Sequence, residues 1–268
     1  MLPPLVAVSL GPVVAGAVWR AGLLTTGGAV AAAMLGSVSA LAGPDWMTIL
    51  LAFFVSSVLL GRLGRTEKRQ RSAAVIAKSG PRDGRQVLAN GVVFGLGAAF
   101  AVSGIRSDSV AVVALGALAA ASADTWGTEL GMLSRSAPRS ILTWAPLETG
   151  MSGGVSAQGL AATVAGAAAL TALAWLLHWP AATALAATVG GIAGAMADSL
   201  LGATLQQRRR SLRTGRMTER LTDDDGAPTT SAGGLSWLDN DGVNLAATVI
   251  GSGTAFGLRA LLSSMSSI

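Results

Sequence analysis

The sequence predicts an all-α fold, a polytopic membrane bundle of seven or eight transmembrane helices. Two observations carry that expectation. Of the 268 residues 51% are hydrophobic and only 12% charged, and the apolar residues gather in successive windows of about 20, the length that spans a bilayer. In addition, 17 of the 19 Lys and Arg residues fall in alternate connections, with Arg106 and Arg259 the exceptions. This asymmetry is the mark of a positive-inside topology.

The windows place helices near 2–19, 21–42, 45–61, 87–104, 108–131, 153–178, 181–204 and 239–262. Several breaks are short: Arg20, then Gly43-Pro44-Asp45, then His178-Trp179-Pro180. One merged pair would reduce eight helices to seven. The first window has no charged segment ahead of it and no small-residue cleavage pattern, so it reads as a retained helix. Residues 1–268 form a single integral-membrane domain, with cytoplasmic loops at about 62–86, 132–152 and 205–238 and both termini outside. A bacterial-type inner or plasma membrane is the expected location.

Composition also excludes some chemistry. There is no Cys, hence no disulfide and no thiolate nucleophile or ligand. The lone His178 sits in a short connection and reads as interfacial. A sequence pI near 11.2 follows from the basic loops, and no nucleic-acid-reading module accompanies it. The run Arg208-Arg209-Arg210 reads as a topology determinant touching anionic lipid. The stretch 222–234, with its Asp run, reads as a flexible, solvated connection.

The functional signal is a pair of aspartates late in two apolar windows, Asp124 in Ala-Asp-Thr-Trp-Gly-Thr-Glu and Asp198 in Ala-Asp-Ser-Leu-Leu-Gly-Ala-Thr-Leu-Gln. A carboxylate at membrane depth costs several kcal/mol unless it is solvated, paired or bound to a cation. Each lies about two turns before the cytoplasmic end of its helix, so the two share a layer. Glu129 lies about 140° around the helix from Asp124 and occupies a different face.

Three helices present their N-termini to the same side, where free N–H groups favour phosphate. One follows Ser152-Gly153-Gly154-Val155-Ser156, whose glycines permit close backbone approach. The last opens with Asp239-Asn240-Asp241-Gly242-Val243-Asn244, an oxygen-rich set suited either to Mg²⁺ or, for Asp239, to capping. The third follows Lys78 and Arg85 and carries Gln86 and Asn90 on one face.

Taken in order, Gln86 to Asn90, Ala123 to Gly131, Ser152 to Ser156, Asp198 to Gln206 (with Thr204) and Asp239 to Asn244 resemble the integral-membrane family containing plant phytyl-phosphate kinase and animal transmembrane protein 19. The first three helices carry none of these motifs, and Thr149-Gly150-Met151 replaces the Gly-Thr that commonly precedes the Gly-Gly-Val-Ser loop. The resemblance implies phosphoryl transfer from a nucleoside triphosphate, with CTP expected, to an isoprenoid monophosphate of phytyl or prenyl type, giving the diphosphate. It implies Mg²⁺ held by Asp124, Asp198 and Asp241, with Asp239, Glu129, Asn240 and Asn244 assisting. Phosphates would be met by Lys78, Arg85, Gln86, Asn90, Ser152, Gly153, Gly154, Ser156, Thr204 and Gln206. Two other readings stay open: a transporter or flippase for an anionic lipid or small solute, and a CTP-dependent lipid-alcohol kinase or cytidylyltransferase. Small residues on nearly every helix serve internal packing and dimerisation equally well, so the oligomeric state stays open.

Overall fold

The computed structural model describes residues 3–73, 75–77, 80–223 and 225–265. Among them are nine helices: α1 (Pro4–Arg20), α2 (Thr26–Ala42), α3 (Pro44–Arg62), α4 (Arg65–Ser72), α5 (Gly84–Val102), α6 (Asp108–Gly131), α7 (Ala157–Leu176), α8 (Ala181–Thr204) and α9 (Asn240–Met265). All eight expected helices are present. Six of them are long and apolar enough to cross a membrane. Helices α1 and α2 are apolar but have 17 residues each, about 26 Å at 1.5 Å per residue, slightly short of the hydrocarbon core.

Local chemistry sets the boundaries. Pro4 and Pro44 open α1 and α3, where a missing N–H costs nothing. Side-chain oxygens of Thr25, Ser107 and Ser156 cap α2, α6 and α7. Helix α5 starts with a capping box in which Asp83 accepts from the Gln86 N–H at 2.9 Å and Gln86 Oε1 accepts from the Asp83 N–H at 3.1 Å.

Helix α6 is the central post. Every residue from Ala114 to Ala123 is buried, with α7, α8 and α9 packed around it. Lipid supplies no hydrophobic drive between helices, so close packing of small residues must hold them together. Gly251 marks one such close approach. A Cβ added there would lie 2.8 Å from Ala120 Cβ and close to the carbonyls of Gly116 and Gly190, so α6, α8 and α9 meet where only hydrogen fits.

The two ends of the bundle differ. At one end Trp179 donates to Asp45 Oδ2 at 2.7 Å and packs against Trp46, which in turn packs on Phe94. Here too are Arg106, which donates to the Ala42 carbonyl at 2.6 Å, and Arg259, paired with Asp108 at 2.8 Å. His178 is exposed.

The other end holds the remaining described basic residues and is more ordered than the sequence suggests. The 62–86 segment, expected to be a loop, contains the short, wholly polar helix α4. Helix α7, the sixth of the expected helices, starts at Ala157 rather than 153, because β2 (Gly154–Val155) pairs antiparallel with β1 (Arg139–Ser140). Beyond α8, β3 (Arg208–Arg210) lies between β4 (Met217–Thr218) and β5 (Thr230–Gly233). The arginine run is therefore a strand, with Arg209 Nε donating to Thr229 Oγ1 at 2.6 Å. The 222–234 stretch is correspondingly not a free connection: β5 belongs to it, and Thr222 bridges Pro228. Asp223 accepts from Ser211 Oγ at 2.8 Å, and Asp225 lies 3.8 Å from Arg213.

Candidate functional site

A cavity of about 350 Å³ opens at the basic end between α5, α6, α7 and α8 and is roofed by the connections. Asp124 and Asp198 both line it, so the two helices deliver their carboxylates to one layer. Asp198 Oδ2 is fully buried and has no hydrogen-bond partner among the described residues. An orphaned carboxylate oxygen beside a second carboxylate is a costly arrangement, and a bound cation would relieve it.

The cavity wall gathers most of the expected residues: Gln86, Glu129, Ser152, Gly153, Gly154, Ser156, Gln206, Asp239, Asn240 and Asp241. Gly153 has φ +81°, and a Cβ there would run into the Ala203 backbone of α8 at 2.8 Å. The glycine thus lets the 149–156 loop lie directly on the helix carrying Asp198. Ser156 Oγ accepts from the Gly159 N–H at 3.1 Å and so fixes the start of α7 beneath that loop. Asp241 is 4% exposed in the first turn of α9.

Several residues behave otherwise than their sequence suggests. Asp239 caps α9 through the Gly242 N–H at 3.0 Å, and its other oxygen lies 2.9 Å from Arg85. Arg85 itself is exposed and tethers the starts of α5 and α9. Asn90 and Asn244 line a neighbouring groove instead of this cavity; Asn90 Nδ2 donates back to the Gln86 carbonyl at 2.9 Å. Thr204 is exposed, donates to the Leu200 carbonyl at 2.7 Å and lines neither space. It follows Asp198 by six positions, about 240° around the helix, which turns it away. Lys78, expected to contact phosphate, lies outside the described residues.

Glu129, expected to assist a metal, instead accepts from Lys68 Nζ at 2.6 Å, and Lys68 also donates to the Leu60 carbonyl. Lys68 is 5% exposed; it comes from α4, which the sequence does not announce. Glu219 is the other residue that sequence reasoning misses. It follows β4, donates its N–H to the Val75 carbonyl at 2.9 Å and reaches into the cavity, where its carboxylate accepts from Ser152 Oγ. Burial pushes the Glu219 carboxyl up from its ordinary value, and the hydrogen bonds from Ser152 and Gln206 oppose that rise.

Three carboxyl groups, Asp124, Asp198 and Glu219, therefore line the one cavity. Among the described residues no three carboxylate or imidazole groups converge closely enough to cage a metal by themselves. Mg²⁺ tolerates such a site, since it commonly takes one or two carboxylates and completes its shell with water and substrate phosphate.

A bundle of apolar helices, with a polar cavity and loops folded over its basic end, defines a polytopic helical membrane protein. The chain belongs to the family described as Integral membrane protein DUF92, which it matches over residues 9–252. It is 32% identical over 209 residues to an uncharacterized membrane protein of Methanocaldococcus jannaschii, covering 78% of this chain and 74% of that one. It is also 29% identical over 254 residues to Protein PGR of Arabidopsis thaliana, covering 85% and 86%. No solved structure matches it.

Proposed function

We propose that this protein is a Mg²⁺-dependent lipid-phosphate kinase, moving the terminal phosphoryl group of a nucleoside triphosphate, with CTP expected, to an isoprenoid monophosphate. The observation that carries this reading is Asp198 Oδ2, buried beside Asp124 without a partner. Phosphoryl transfer asks a protein mainly for positioned phosphates and charge stabilisation, which suits such a site.

Asp124 and Asp198 would hold Mg²⁺, with Asn240 and Asp241 beside them, and the ion would neutralise charge on the nucleotide phosphates. The start of α7, beneath the Ser152–Ser156 loop, offers N–H groups to the same phosphates. An oxygen of the acceptor monophosphate attacks the γ-phosphorus, and the bond from that phosphorus to the β,γ-bridging oxygen breaks. Its electron pair leaves on the nucleoside diphosphate. The acceptor is already ionised at neutral pH, so no strong general base is required. Under the positive-inside rule the basic end, and the site with it, faces the cytoplasm.

The test is incubation of purified protein in nanodiscs with Mg²⁺, each nucleoside triphosphate and a panel of prenyl monophosphates. Diphosphate should form, and Asp124→Asn and Asp198→Asn should each lower its rate at least about 100-fold, the scale of losing one preorganised charge contact. Movement of labelled lipid across liposomes without nucleotide consumption would establish the transporter reading instead.

A further inference from the structure

Beside the polar cavity lies a second, larger one of about 500 Å³, bounded by α1, α2, α3, α5 and α6. Much of its wall is apolar, with Val14, Val18, Leu35, Leu51, Phe54 and Val87, while Ser57, Asn90, Thr125 and Asn244 also line it. At the basic end it is lined by Arg62, Arg65 and Arg82. Arg82 is half-buried, with Nη1 donating to Ser57 Oγ at 2.7 Å and the guanidinium 6.0 Å from the centre of the Phe54 ring. Met47 marks the deep end. It precedes Arg62 by fifteen residues on α3, so the groove descends about 22 Å into the apolar layer.

The two cavities are not independent. Gln86, Asp124, Thr128 and Glu129 line both, so one stretch of α6 forms the partition between a polar chamber and an apolar shaft with cationic residues at its mouth. Asp124 and Glu129 stand about 140° apart on the helix, and that separation lets α6 present polar groups to both sides.

We propose that this groove is the acceptor site, taking the hydrocarbon chain of an isoprenoid monophosphate along α1, α2 and α3 with its phosphate among Arg62, Arg65 and Arg82 at the partition. The proposal rests on the phosphotransferase reading and deepens it by separating the two substrates. The shaft matches a chain running parallel to the membrane lipids, and its volume lies in the range of ligand sites. The arginines match a phosphate monoester. The shared wall places that phosphate next to the nucleotide chamber, where transfer needs it. On this account the first three helices, which carry none of the sequence motifs, determine which lipid is accepted.

Two measurements test the assignment. Ala32 lines the shaft and is only half-buried. Ala32→Phe should raise KM for a twenty-carbon prenyl monophosphate roughly tenfold while leaving turnover of a five-carbon acceptor unchanged, the pattern of a blocked tail site. Val14→Trp should do the same, and retained short-acceptor activity reports intact folding in either variant. Separately, a photoactivatable farnesyl monophosphate should label residues of α1 to α3 and be displaced by unlabelled farnesyl monophosphate. Labelling elsewhere, or the same KM for long acceptors in both variants, overturns the proposal. Competed labelling of the groove with no phosphoryl transfer under any condition would leave the groove as a prenyl-phosphate site and sink the kinase reading.

Discussion

Lys68 Nζ lies 2.6 Å from Glu129 Oε2, with the two side chains 6% and 21% exposed. This ion pair joins the surface helix α4 to the last turns of the central post. Removing one partner from such a pair leaves a charge with poor solvation. Lys68→Met is therefore expected to destabilise the protein by about 3 kcal/mol, the lower end for buried pairs because Glu129 is partly exposed. The double variant with Glu129→Gln should regain most of the loss. Thermal unfolding in detergent of the two singles and the double checks this; equal stability for Lys68→Met and the native chain would refute it.

The partnerless oxygen of Asp198 makes a prediction about ions. Mg²⁺ should raise the melting temperature, by the equivalent of about 2.7 kcal/mol at a hundred times its Kd. Asp198→Asn should remove that response. Asp239→Asn should keep most of it, because Asp239 is occupied as a helix cap and as a partner of Arg85. Melting curves at a series of Mg²⁺ concentrations give the comparison.

Glu219 supplies a dependence on pH. Its folded value is raised from the ordinary 4.5. Below pH 4.5 the group is protonated in both states and contributes nothing. As pH rises from there toward the folded value, the unfolded chain releases its proton first, so stability falls; above the folded value the cost is constant. Glu219→Gln should flatten this slope. Melting temperatures of both proteins from pH 4 upward test it, and parallel curves would contradict the assignment.

Gly251 gives a prediction about packing. Gly251→Ala places a methyl group 2.8 Å from Ala120 Cβ, with backbone carbonyls on both other sides. Overpacking of this kind costs about 1–3 kcal/mol. Gly253, whose added Cβ would meet nothing within 4 Å, is the control: Gly253→Ala should match the native chain in the same unfolding assay.

The helices and the Asp124–Asp198 layer were legible because hydropathy and the cost of a buried carboxylate are properties of single segments. Glu219 and Lys68 were not, since each reaches the site from a connection whose path depends on distant pairings. Glu219 is placed by its hydrogen bond to Val75, far back in the chain, and nothing in Met-Thr-Glu-Arg signals it. Thr204 is a different case. Its six-residue spacing from Asp198 already puts it on another face of α8, so helical phase alone separates it from the motif around it. Asp239 was legible as a possible cap, and the geometry adds Arg85 as the partner of its second oxygen.

The burial of α6 has a consequence for how the chain is made. From Ala114 to Ala123 this helix is enclosed by neighbours, three of which, α7, α8 and α9, follow it in the sequence and so are synthesised later. The helix must therefore enter the bilayer as an ordinary lipid-facing span and exchange lipid for protein only when the later ones arrive. Gly251 lies on α9, so the seam with α6 and α8 closes only once that helix has been made. Chains truncated after Thr204 should accordingly insert but remain open around α6 and be prime substrates for membrane quality-control proteases.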